Sequence, residues 1–375
     1  MKHPSLYLDW YIHVPNVKHD FRSSGIMYFK QILNLGDIDL SANYTRGNPE
    51  AVNQIAHWYN VKPENVFISS EGASGQNTRI IRYLAETNSQ KREAIVEYPT
   101  YEPLLRTVQE HFPHVKRLVR QEKDAYALDA RTLQRIVTPK TALLVLTNPH
   151  APSGAVTGLS ELKEVMDVAQ EWGFHVVCDE IYAEFNRKTL PTLFSVDPQL
   201  GIVTTSFTKA FGLGGLKLGV ALAEKQLTDE LYTDVLNTVG NSPNIVQLVA
   251  AELLVRWKKK LHRQKQQWTQ LKRQTESWLR EMDLDYFPNK TGVTYWVKLP
   301  IKDTYKWVTQ QTIPHYSLAP VPGAFFLFKN DYKLVRSNMI RLGLGSINPK
   351  EPNYNDTLET LEKAINEHKH DGTDP

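Results

Sequence analysis

The feature that most constrains the fold is an alternation running from about residue 60 to residue 225. Short apolar runs alternate with longer segments of helical spacing. The runs are 65-NVFISS-70, 94-AIVEY-98, 141-TALLVLT-147, 174-FHVVCDE-180, 201-GIVTTSF-207 and 217-KLGVALA-223. Their β-branched, two-sided apolar character suits strands covered on both faces. Between them, 160-SELKEVMDVAQEW-172 puts Leu162, Val165, Met166, Ala169 and Trp172 on one helical stripe. Ser160 is read as its N-cap and Gly173 as the residue just past its end. This order predicts an α/β fold with a mostly parallel sheet between helices. Ligands of such sheets sit beyond the carboxyl ends of the strands. The residues just after each run are therefore the candidates for chemistry.

The rest of the chain narrows the function class. Lys and Arg number 44 against 41 Asp and Glu, a net charge of +3. That balance argues against a nucleic-acid or anionic-membrane partner. One stretch, Arg256 to Arg273, holds eight Lys or Arg and no Asp or Glu. It lies in a segment, 248–281, that reads as one long helix, and a solvated helix face accounts for it. Cys178 is the one cysteine, so an internal disulfide is excluded and a reducing compartment fits. The first 20 residues contain no apolar signal core, and no apolar run nears the ~20 residues that cross a bilayer. A cytoplasmic protein is expected. His111 and His114 form an isolated pair and are read as surface histidines, not metal ligands. After the long helix, 291-TGVTYWVKLP-300, 317-SLAPVPGAFF-326 and 338-NMIRLGLG-345 suggest a smaller α+β domain, with the first 30 residues packed on it.

Several strand ends carry residues with chemical potential. In 205-TSFTKAFGLGGLKLG-219, Lys209 follows a strand ending in hydroxyl residues and precedes a glycine-rich turn. A lysine held there suits a Schiff base to an aldehyde cofactor bearing a phosphate; a surface lysine on a glycine loop is the plainer alternative. Gly212, Gly214 and Gly215 lack the spacing of a dinucleotide loop. In 176-VVCDEIY-182, Asp179 ends an apolar strand, where a carboxylate is costly unless paired. A protonated pyridine nitrogen would pair with it, and so would a salt bridge or a helix cap. In 67-FISSEGASGQNTRIIRYL-84, Gly72, Ala73 and Ser74 would open a helix whose amides suit a phosphate. In 97-EYPTYEP-103, Tyr101 could stack on a flat ring. Arg341 is the one charge in an apolar strand, and a guanidinium grips a carboxylate with two bonds.

In this order and spacing, these motifs resemble the pyridoxal-phosphate-dependent aminotransferases of class I/II, fold type I, from about Tyr44 to Arg341. The resemblance implies a large domain over 31–274, with a mostly parallel seven-stranded sheet, and a small domain from 1–30 and 275–375. It implies pyridoxal 5'-phosphate as cofactor and transfer of an amino group between an L-amino acid and a 2-oxo acid. Lys209 matches the Schiff-base lysine and Ser206 a phosphate-binding hydroxyl. Asp179 matches the partner of the pyridine nitrogen, and Tyr182 that of the ring hydroxyl. Gly72, Ala73 and Ser74 match the phosphate cup, Tyr101 the stacking aromatic, and Arg341 the holder of the substrate carboxylate. Gly25, in 21-FRSSGI-26, is taken as a second substrate-binding position. Tyr44, in 44-YTRGNPEAVNQIAHWY-59, matches a tyrosine reaching the phosphate of the neighbouring subunit, which implies a homodimer with shared sites.

The chain departs from the family pattern at two places. In 148-NPHAPSG-154 the family's second Asn is Ala151, so one donor to the ring oxygen is missing, while Asn148 stays in the cofactor-binding set. Lys217 stands where the family usually has a phosphate-clamping Arg; it keeps the charge and loses the two-pronged geometry. These changes, with the 21-FRSSGI-26 segment, keep a lyase or a cyclising amino-acid-modifying enzyme of the same fold as an alternative. A non-catalytic module binding the same cofactor is a third. No second Arg stands in a dicarboxylate motif, and Tyr11, Tyr28 and Phe325 hint at an apolar or aromatic substrate side chain.

Overall fold

The structure is a computed structural model and describes residues 5–27, 37, 39, 41–88, 90–287, 289–348 and 354–369; no side chain is described for 257–265. The apolar runs become strands at the centre of the molecule: β1 (Val66–Ser69), β2 (Glu93–Tyr98), β3 (His114–Val119), β4 (Thr141–Thr147), β5 (His175–Asp179), β6 (Gly201–Ser206) and β7 (Gly219–Leu222). They form one seven-stranded sheet in the order β1-β7-β6-β5-β4-β2-β3. Strands β3, β2, β4, β5 and β6 pair in parallel. Strand β7 runs antiparallel to both β6 and β1. Strand β4 is buried at every position, its terminal Thr141 and Thr147 included, as a central strand covered on both faces requires.

The apolar runs do not include β3, which lies at the sheet edge. Its sequence, HVKRLV, carries Lys116 and Arg117, and most of it is partly exposed. An edge strand needs only one neighbour and tolerates charge, so it leaves no apolar run to read. The helix Leu159–Trp172 forms with the expected stripe: Leu162, Val165, Met166 and Ala169 are buried. Gly173 ends it with φ of +65°, but its start is Gly158, so Ser160 lies inside the helix and does not cap it.

The helix Asn244–Glu281 crosses the expected domain boundary at 274. Beyond it, Tyr286–Phe287, Thr294–Lys298, Val321–Pro322 and Met339–Gly343 form a four-stranded sheet. The N-terminal segment is tied to both parts. His19 and Asp20 pair in parallel with Leu318 and Ala319. The helix Leu6–His13 instead starts on Glu102, a buried carboxylate at the head of the helix Glu102–His111. Glu102 accepts bonds from Ser5 Oγ at 2.8 Å, Leu6 N at 3.0 Å and Tyr7 N at 2.7 Å.

Candidate active site

The carboxyl ends of the strands open onto a cavity of about 570 Å³. Its wall includes Gly25, Gly72, Ala73, Ser74, Tyr101, Asp179, Tyr182, Lys209, Lys217 and Arg341. Residues distant in sequence meet there because parallel strands present their carboxyl ends at one edge.

Asp179 terminates β5 and is buried. Its Oδ2 accepts a bond from Asn77 Nδ2 at 2.9 Å, and its Oδ1 accepts one from Ile181 N at 3.0 Å. Thr204 Oγ1 donates to Asn77 Oδ1 at 2.6 Å, which fixes the amide with its NH₂ toward the carboxylate. Burial still pushes Asp179 up to about 6, against the pull of these two bonds and of Lys209. Its two hydrogen-bond donors are neutral amides, and among the described residues it forms no salt bridge.

Lys209 follows β6 and reaches into the cavity, where its Nζ donates to Ser24 Oγ at 3.1 Å. Burial lowers its pKa, and Arg341 and Lys217 lower it further. Tyr182 is pushed up by burial and drawn back by Arg341 and by a hydrogen bond to Ser24.

The helix Gly72–Thr87 points its N-terminus at the same space, and no side chain among the described residues caps its first turn. Gly72 has φ of +66° and donates its N–H to Lys217 O at 2.5 Å. Gly219 must be glycine here: a Cβ on it would lie 2.4 Å from Gly72 O. The cup and the strand β7 are thus locked together, and Lys217, exposed just before β7, lines the same cavity as the uncapped amides. Uncapped helical amides beside a lysine form an anion site.

Arg341 lies in Met339–Gly343 and is buried. Its Nη2 donates to Tyr7 OH at 3.0 Å and to Arg22 O at 2.8 Å, and its Nε has no partner among the described residues. Tyr101 packs edge-on against Tyr7, with ring centroids 5.8 Å apart.

Three of the positions named from sequence stand apart from this wall. Asn148 is consumed by its own loop: Nδ2 donates to Thr157 O and Oδ1 accepts from Thr157 N, each at 3.0 Å. Ser206 lies behind Thr208, the hydroxyl that lines the cavity; the two oxygens are 2.7 Å apart. Tyr44 is exposed outside the cavity. Of the aromatic residues, Tyr11 lines the cavity, Phe325 packs beneath Tyr7, and Tyr28 lies outside the described residues.

The structure adds Ser24, Tyr7, Arg22 and Thr208 to the wall, and Asn77 behind Asp179. Thr208 was within reach of sequence, since 205-TSFT-208 offers alternating hydroxyls. The others come from the N-terminus or from inside a helix, with no local signal. Arg22 makes a two-pronged pair with Asp20, at 2.9 and 3.0 Å, so its charge is already matched.

The residues present fit pyridoxal phosphate. The uncapped amides and Lys217 suit its phosphate, and Asp179, buried without a close cation, suits its ring nitrogen. An enzyme fold built around a lysine and a buried carboxylate at a parallel sheet's carboxyl edge defines the class. The chain matches the model of the family "Aminotransferase class I and II" over residues 28–351, and it belongs to that family. Membership implies pyridoxal phosphate as the cofactor.

The chain is 25% identical over 183 residues to a histidinol-phosphate aminotransferase of Methanococcus maripaludis, covering 48% of each. It is 23% identical over 297 residues to an aspartate aminotransferase of Pyrococcus horikoshii, covering 76% of this chain and 66% of that one. The chain spans about half the length of the histidinol-phosphate aminotransferases it matches. A solved PLP-dependent aminotransferase from Streptococcus suis shares the fold with a TM-score of 0.82 at 22% identity, covering 98% of this chain and 99% of that one.

Proposed function

We propose that the chain is a pyridoxal-phosphate-dependent aminotransferase that moves an amino group between an L-amino acid and a 2-oxo acid. The observation that carries the proposal is the convergence of Lys209, buried Asp179, the uncapped helix start and Arg341 on one cavity.

Each residue has a distinct task in this reading. Ala73, Ser74 and Lys217 hold the phosphate, with Thr208 beside them and Gly72 shaping the cup through its bond to Lys217 O. Asp179, oriented by Asn77, keeps a proton on the ring nitrogen. Tyr182 bonds the ring oxygen, and Tyr101 covers the ring. Pyridoxal phosphate, when bound, supplies the ring that accepts electrons from the substrate carbon. Arg341 grips the α-carboxylate and orients the Cα–H bond. Lys209 Nζ takes the Cα proton and returns it, and the burial that lowers its pKa favours the neutral amine such a base needs.

The fold is divided, in this proposal, into a large domain over 31–274 and a small domain from 1–30 and 275–375. Two copies share their sites, with Tyr44 of one reaching the phosphate of the other. The single, buried Cys178 supports a cytoplasmic setting.

The test is a visible spectrum of the protein with pyridoxal phosphate. Adding amino acids without a 2-oxo acid should bleach the yellow band. Lys209→Ala should abolish both the band and turnover, by about a thousandfold or more. Ammonia release without any 2-oxo acid would favour the lyase alternative, which Ala151 and Lys217 keep in view.

A further inference from the structure

We infer that Ser24 is a positioning residue for the lysine amine: its hydroxyl ties Lys209 and Tyr182 into one hydrogen-bonded line, on a cavity wall where Ala151 offers no polar side chain. The inference rests on the functional reading above and adds a residue to it.

The first observation is contact. Lys209 Nζ donates to Ser24 Oγ at 3.1 Å, across 185 positions of sequence. The same hydroxyl bonds the Tyr182 side chain. A serine hydroxyl has one proton to give and two lone pairs. Accepting from Lys209 leaves its own proton for the Tyr182 oxygen. The amine and the phenol are thereby held at fixed places relative to each other.

The second observation is rigidity. Ser24 sits in a strap pinned on both sides. Ile26 N donates to Lys209 O at 3.0 Å, and Met27 N donates to Gly345 O at 2.9 Å. Gly345 N donates to Ser23 O at 3.1 Å, and Ser23 Oγ donates to Gly25 O at 2.6 Å. A Cβ on Gly25 would lie 2.8 Å from Lys209 Cδ and 3.0 Å from Lys209 Cα. The glycine lets the strap press directly on the lysine, which sets the reach of the serine before it. A side chain locked this way positions its partners without an ordering cost on binding.

The third observation is the empty role opposite. Ala151 lines the cavity, and its backbone N–H is taken by Thr147 Oγ1 at 2.8 Å. Asn148 is turned into its own loop. Among the described lining residues, Ser24 is the hydroxyl that touches both Lys209 and Tyr182.

The experiment compares wild type, Ser24→Ala and Ser24→Thr by two readouts. In the cofactor-free protein, the pH at which Lys209 becomes reactive toward an amine-directed reagent is followed by peptide mass spectrometry. Losing the acceptor disfavours the ammonium, so Ser24→Ala should move this midpoint down by about half a unit or more. In the protein loaded with pyridoxal phosphate, the pH titration of the visible band is followed. Loosening Tyr182 weakens support of the ring oxygen, so this midpoint should move up by about one unit. Ser24→Thr keeps the hydroxyl and should stay near wild type in both. Unmoved midpoints in Ser24→Ala, or equal shifts in Ser24→Thr, would overturn the inference. A wild type that forms no visible band would instead sink the cofactor reading, and this inference with it.

Discussion

At the residue scale, Asp179 decides how the site responds to pH. Its pKa in the folded chain, about 6, lies above the ordinary carboxylate value. Folding therefore favours its protonated form. The resulting stability is complete below about pH 4 and lost as pH rises through about 6, a difference of roughly 3 kcal/mol. A bound cofactor with a protonated ring nitrogen would supply a cation for it, and Asn77 supplies the bond that helps the carboxylate ionise. Asn77→Ala should raise the Asp179 pKa further. Affinity for pyridoxal phosphate should then fall about tenfold near pH 6.5 and approach wild type near pH 8.5. Equilibrium titrations at the two pH values check this; an equal loss at both would point to a packing defect.

At the element scale, the N-terminal helix depends on a single carboxylate. Glu102 caps Leu6–His13 through Ser5, Leu6 and Tyr7, and it pairs with Arg106 at 2.6 Å. The helix carries Tyr7, whose hydroxyl accepts from Arg341. Glu102 thus reaches Arg341, the residue proposed to bind the substrate carboxylate, through one turn of helix. Glu102→Ala removes several charge-assisted bonds at once. Its KM for the amino acid should rise about tenfold, with pyridoxal phosphate affinity little changed. Steady-state kinetics and a cofactor titration on the same variant separate these two effects. The strand β3 and the cup beside β7 teach a related lesson: an edge strand and a glycine contact are set by neighbours, not by their own residues.

At the scale of the whole molecule, two copies should complete each other's sites. Tyr44 is exposed and stands apart from the cavity of its own chain. The dimer reading gives it a role on the partner's phosphate. Lys209→Ala and Tyr44→Ala should each be weak alone. Dissociated and reassociated together, they should recover activity above either, because some mixed dimers carry one intact site. Light scattering during size-exclusion should give about twice the 43.0 kDa chain mass. A monomer at micromolar concentration, or a mixture no better than its parts, would reject shared sites.

Much of this arrangement was legible in the chain alone. The apolar runs defined the sheet's interior because a strand covered on both faces is apolar over most of its length. The strand-end rule then marked Asp179, Lys209 and the cup, since parallel strands bring their ends to one edge whatever lies between them. Ser24, Tyr7 and Asn77 stayed hidden, because their roles depend on contacts across 185, 334 and 102 positions. Asn148 and Ser206 were marked by motif yet turn elsewhere, because Thr157 and Thr208 compete for their polar atoms. Local sequence determined most of the elements and which strand ends meet at the cavity. Tertiary packing alone decided which donor meets which acceptor, because a hydrogen bond is won by whichever partner the fold brings within about 3 Å.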